Sequence, residues 1–86
     1  MNVKKRFVIV VNPAAGNCSL DHVAEVCRAL RDEGHEADFQ VSQYKGNCTE
    51  LTREALDEGV DVLVAAGGDG TVNEIASALA GTGTAM

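Results

Sequence analysis

At 86 residues, with 45% hydrophobic and 23% charged side chains, the chain is long enough for one core and too short for two, and its composition is that of a folding globular protein. Only Phe7, Phe39 and Tyr44 are aromatic, so Val, Leu, Ile and Ala must build the core. A net charge of −6, with no basic run interleaved with aromatics, opposes attraction to phosphate backbones, and no nucleic-acid partner is expected.

Lys4, Lys5 and Arg6 are the one basic cluster, read as solvated charges ahead of a first strand. Phe7 to Val11 is a continuous apolar, mostly β-branched run that stops at Asn12-Pro13, which predicts a strand buried on both faces. Leu20, Val23, Val26, Cys27 and Leu30 then recur at helical spacing, with Ser19 placed to cap the start and Gly34 just past the end. Glu36 to Ser42 alternates in part, putting Ala37, Phe39 and Val41 on one face of a strand near a sheet edge. Asn47 and Glu50 have the spacing of a capping box; Leu51, Ala55 and Leu56 supply the apolar face of a second helix, and Gly59 closes it. Val60 to Ala66 is apolar except for Asp61 and predicts a third strand, central in a parallel sheet. After Gly67-Gly68, Thr71 and Glu74 again have capping-box spacing, and Val72, Ile75, Ala76 and Leu79 form a helical stripe.

The order is βαβαβα. With right-handed crossovers it gives an α/β fold, a three-layer parallel sheet of the Rossmann-like type. The Gly/Thr segment at residues 80–86 reads as a loop that leads toward a fourth strand, so the third strand should present an exposed edge that favours self-association. Three widely spaced cysteines without a CxxC pair indicate neither a disulfide framework nor a zinc site, and fit a reducing cytosol. Cys27 reads as core packing and Cys18 and Cys48 as inert; His22 and His35 have no partner at metal-ligand spacing, and no metal ligands are assigned. No apolar run reaches the ~20 residues of a membrane span.

In parallel α/β sheets, ligands gather beyond the carboxyl ends of the strands. The turn after the third strand reads Gly67-Gly68-Asp69-Gly70-Thr71-Val72-Asn73-Glu74. Its glycines allow close backbone approach and positive φ, and the N–H groups of a helix start attract phosphate oxygens. A carboxylate there would repel phosphate unless magnesium or a substrate hydroxyl lay between them, so Asp69 points to catalysis: it could take the proton of an attacking hydroxyl or hold magnesium. A plain tight turn with a solvated acid is the competing reading. Neither a GxxxxGK[ST] loop nor the dinucleotide fingerprint is present, because Asn73 stands where the latter needs its last glycine. Asn12-Pro13-Ala14-Ala15-Gly16 follows the first strand and, taken alone, is as well explained by a turn.

Together, the NPxxG and GGDGTxNE segments resemble the diacylglycerol kinase catalytic domain, shared with sphingosine and bacterial lipid kinases. The match runs from about Arg6 to Met86 and includes Ser42 four residues before Gly46, where the family has Thr and then Gly-x-Ala; Cys48 replaces that alanine. The resemblance implies an ATP-dependent lipid kinase with a fold like that of phosphofructokinase and NAD kinase. Gly67, Gly68, Gly70 and Thr71 would surround the ATP phosphates, Asn12 and Gly16 would line the nucleotide pocket, and Ser42 would lie near the nucleoside. Asp69 would be catalytic and magnesium would accompany ATP; Asn73 and Glu74 also stand in the family's motif, but the capping spacing gives Glu74 a structural role as the partner of Thr71.

The resemblance also implies a cytoplasmic protein, peripheral to the membrane where its lipid substrate lies. Family members continue into another glycine-rich loop and a second, β-rich domain; residues 1–86 would be the N-terminal part of the ATP-binding domain, inactive alone. A small-molecule kinase of the NAD kinase or phosphofructokinase type, and a non-catalytic nucleotide-binding or structural fragment, are the alternatives.

Overall fold

The computed structural model describes residues 4–13 and 20–86. Strands β1 (Arg6–Val11), β2 (Glu36–Val41) and β3 (Val62–Ala66) alternate with helices α1 (Leu20–Asp32), α2 (Asn47–Asp57) and α3 (Asp69–Leu79), the predicted βαβαβα order. All pairing is parallel and the strand order is β2-β1-β3, with Arg6 beside Glu36 and Phe7 beside Val62.

Strand β1 is central, which is why its sequence lacks hydrophobic–polar alternation: both faces are covered. Val8 and Val10 pack with Leu63, Cys48, Ala55, Ile75 and Leu79 under α2 and α3. Ile9 and Val11 point the other way, to Val23, Cys27 and Ala37 under α1. The result is three layers, two helices on one face and one on the other. Burying each such aliphatic side chain contributes about 1.5–3 kcal/mol before entropy is counted.

With one helix on its face, the buried stripe of α1 is narrow. Val23 and Cys27 are buried, whereas Leu20 and Val26, read from periodicity as part of that stripe, are exposed. Burial pushes the Cys27 thiol above its usual range, with the Arg31 charge pulling partly back, as befits a packing cysteine. Phe39 is likewise 38% exposed, on β2, which is an edge strand of the sheet.

Both α1 and α2 end as predicted. His35 N–H bonds the Leu30 carbonyl and Gly34 N–H the Arg31 carbonyl, and the same pair recurs from Val60 to Ala55 and Gly59 to Leu56. Strand β3 starts two residues later than expected, since Asp61 faces backward to accept the Arg6 N–H at 2.8 Å. Within this chain the third strand lies at the edge, as the exposed-edge reading expects, and Ala85 bridges to it: Leu63 N–H bonds the Ala85 carbonyl at 2.9 Å.

Candidate functional site at the carboxyl end of the sheet

The three strands end side by side, so the turns that leave them meet. They open on a cleft of about 580 Å³, bounded by Asn12 and Pro13 after β1, Ser42 to Gly46 after β2, and Gly68, Gly70 and Thr71 after β3. The N-termini of α2 and α3 both face this end, and each carries backbone donors and the positive end of a helix dipole.

Asn12 and Thr71, read separately as ligand-binding residues, bind each other. Asn12 Nδ2 donates to Thr71 Oγ1 at 3.1 Å, and Asn12 N–H bonds the Ala66 carbonyl at 2.8 Å, so the first and third turns are tied together. Thr71 is buried, with 4% of its surface exposed. It is not a helix cap: α3 begins at Asp69 with Gly68 as N-cap, and no side chain caps it. The first helical bond runs from Val72 N–H to the Gly68 carbonyl. The expected Thr71–Glu74 capping box therefore does not form, and the apolar stripe rotates by one residue, burying Thr71, Ile75 and Leu79 and leaving Val72 exposed. Glu74, relieved of the capping role, lines the cleft.

The glycines of this turn serve through size, because none of Gly67, Gly68 and Gly70 has positive φ. A Cβ on Gly67 would stand 2.7 Å from Thr71 Oγ1 and 2.9 Å from its Cβ, so this glycine is required by the protein's own packing. A Cβ on Gly70 would meet nothing within 4 Å among the described residues. Gly70 lies in the first turn of a helix, where glycine is less favourable than alanine by up to about 1 kcal/mol, and no contact with a described residue explains it.

In the second turn the start of α2 also differs from expectation. Gly46 is the N-cap, at φ 88° and ψ −10°, a left-handed conformation that favours glycine, and Asn47 is the first helical residue. Asn47 is buried: its Oδ1 accepts the Gln43 N–H at 2.8 Å, and its Nδ2 donates to Glu50 Oε2 at 3.4 Å. The same Glu50 oxygen accepts the Tyr44 hydroxyl, and Ser42 Oγ donates to the Tyr44 carbonyl at 3.3 Å.

Of the residues assigned from sequence, Asn12, Ser42, Gly68, Gly70 and Thr71 border one cleft. Gly67 supports Thr71 from beneath, and Asp69 stands exposed at the first position of α3, outside the lining proper. Gly16 lies outside the described residues, as do Ser19 and Cys18. The cleft adds Tyr44, Lys45 and Glu74, which sequence reasoning did not assign. Tyr44 and Lys45 fall inside the Ser42 to Gly46 segment that the resemblance singles out, and Glu74 closes the GGDGTxNE segment, where its spacing from Thr71 suggested a cap instead.

Among the described residues no three His, Cys, Asp or Glu side chains are grouped to cage a metal ion, so a magnesium ion here would need a phosphate ligand to complete its shell. Asp69 forms no ion pair among the described residues and offers one carboxylate, the donor set with which magnesium commonly accompanies a phosphate ligand.

A family model described as the diacylglycerol kinase catalytic domain matches residues 6–86. A Bacillus subtilis protein named diacylglycerol kinase is 35% identical over 77 residues, 88% of this chain and 25% of its own length. A Cronobacter sakazakii protein named "Probable lipid kinase YegS-like" is 48% identical over 54 residues, 63% of this chain and 18% of its own length. The fold matches a crystal structure of a diacylglycerol kinase from Bacillus anthracis with a TM-score of 0.68 and 23% identity, covering 91% of this chain and 29% of that one. The chain thus spans a quarter or less of the length of these two sequence relatives. With the motif-bearing turns gathered at one end of the sheet and the family model matched along nearly the whole chain, the protein belongs to the diacylglycerol kinase catalytic domain family.

Proposed function

We propose that this chain is the nucleotide-binding part of an ATP-dependent lipid kinase, which moves the γ-phosphoryl group of ATP to a lipid hydroxyl. The observation that carries the reading is Gly70: the first turn of α3 is left bare where none of the described residues needs it bare, beside backbone donors that open onto a cleft. A triphosphate is the ligand such a surface suits.

In this reading the phosphates lie along Gly67 to Thr71, with Asn12 and Gly16 lining the pocket and Ser42 toward the nucleoside. Bound with ATP, magnesium would neutralise charge on the phosphates. Asp69, exposed at the mouth of the helix, takes the proton of the attacking hydroxyl or holds the metal through its carboxylate. Lys45 is a cation on the cleft wall and offsets part of the repulsion that Asp69 and Glu74 would exert on an anion. Acceptor binding belongs to the part of the family's length that this chain does not span, at a membrane surface facing the cytoplasm. These 86 residues would then hold nucleotide without turnover, since reactants must be both oriented and shielded from water. Among the described residues no helix is long and apolar enough to cross a membrane, so the lipid would be met at the surface.

The test is Asp69→Asn in a full-length family protein that carries this chain. Because Asp69 is exposed, the fold should lose no more than the helix-dipole contribution of about 0.3–1 kcal/mol, while kcat for lipid phosphorylation should fall about 10²–10⁴-fold. An unchanged kcat would refute the role.

A further inference from the structure

We infer that Tyr44 is the base-stacking residue of the cleft, its ring receiving the flat heteroaromatic base of a nucleoside triphosphate. The inference rests on the nucleotide reading above and adds to it the residue that binds the base.

Tyr44 is the aromatic residue among those that line the cleft, and 56% of the residue's surface remains exposed. A tyrosine that served only packing would bury its ring. Here the opposite holds: the ring is open and the polar end is fastened. Its hydroxyl donates to Glu50, one turn into α2, and Glu50 is held in turn by buried Asn47.

The backbone on both sides of the ring is fixed as well. Gln43 N–H donates to Asn47 and Ser42 Oγ to the Tyr44 carbonyl. The Glu50 carboxylate, by accepting the hydroxyl's hydrogen bond, raises the phenol above its ordinary ionisation range. An exposed ring held this way loses little freedom when a ligand arrives, which is the condition for an efficient stacking contact.

Position agrees with the assignment. Phosphates at the α3 N-terminus leave the rest of a nucleotide extending through the cleft, and the turn after β2, with Ser42 and Tyr44, forms its other wall. Stacking on an aromatic face is worth enough to detect by alanine substitution and is tolerant of which base is bound.

Tyr44 is the only tyrosine and there is no tryptophan, so intrinsic fluorescence of this chain reports on this residue alone. The experiment is calorimetric titration of the 86-residue chain with magnesium-ATP and, separately, with magnesium and inorganic tripolyphosphate, which has no base. Tyr44→Ala should weaken magnesium-ATP binding about tenfold and leave tripolyphosphate binding unchanged. Glu50→Ala, which keeps the ring and frees it, should fall between wild type and Tyr44→Ala for magnesium-ATP. Tyrosine emission should be quenched by adenosine and not by tripolyphosphate. Equal magnesium-ATP affinity in wild type and Tyr44→Ala overturns the stacking role and leaves the phosphate site standing. An equal loss for both probes also overturns it, by assigning Tyr44 to the phosphates or the fold. Failure of the wild-type chain to bind either probe overturns the nucleotide reading itself, and the stacking role with it.

Discussion

Gly67 and Gly70 are three residues apart in one turn, and opposite physical reasons account for them. A methyl group on Gly67 collides with Thr71, whose hydroxyl takes the hydrogen bond that links the first and third turns. Gly67→Ala should therefore destabilise the fold by about 1–3 kcal/mol, the usual cost of overpacking. A methyl group on Gly70 meets none of the described residues, so Gly70→Ala should stabilise the helix by up to about 1 kcal/mol while obstructing the approach of phosphate. Urea unfolding of the two variants measures the contrast. Equal destabilisation by both would mean that Gly70 has a structural duty after all, and would remove the main support for a ligand at α3. Motif spacing alone could not separate these glycines, because the difference depends on which atom lies opposite each missing Cβ. The sequence likewise showed Thr71 and Glu74 at capping distance, but the partner that Thr71 takes, Asn12, is 59 positions away. A local pattern cannot register such a competitor.

Each helix start in the site is set by what precedes it. For α3 the extended Gly68 is the N-cap and the helix begins two residues before Thr71, which puts Asp69 in the first turn, where a carboxylate is favoured by the dipole. For α2 the left-handed Gly46 turns the chain so that Asn47 can reach back to Gln43. Gly46→Ala should cost about 1–2 kcal/mol, the penalty of a left-handed L-residue, and Gly46→Asn should cost less, since asparagine tolerates that region. Thermal or urea denaturation decides it, and a neutral Gly46→Ala would show that the turn relaxes freely. Strand and helix identities were legible because the apolar runs of β1 and β3 and the closing Gly34 and Gly59 are local signals. Helix faces were less so. Leu20, Val26 and Val72 fit a helical stripe by spacing, yet a small three-stranded sheet does not offer enough surface to bury them.

At the scale of the molecule, the parallel βαβαβα order brings all strand ends to one side, and this makes separated motifs into one cleft. That convergence was legible, since parallel strands have no other way to arrange their turns. The anchored Tyr44 was not, because its significance comes from Glu50 and Asn47, across the start of a helix. At the edge of β3, Ala85 forms a bridge to Val62 in the parallel sense of the other strands. The central claim is that the mouth of α3 receives the triphosphate of ATP, and an amide-resolved NMR titration of this chain with magnesium-ATP tests it most directly. The account predicts that the largest, saturable shifts fall on the amides of Gly68, Asp69, Gly70 and Thr71, and that Gly70→Ala suppresses them. Saturation with those four amides unmoved, or no saturable shift anywhere, would contradict it.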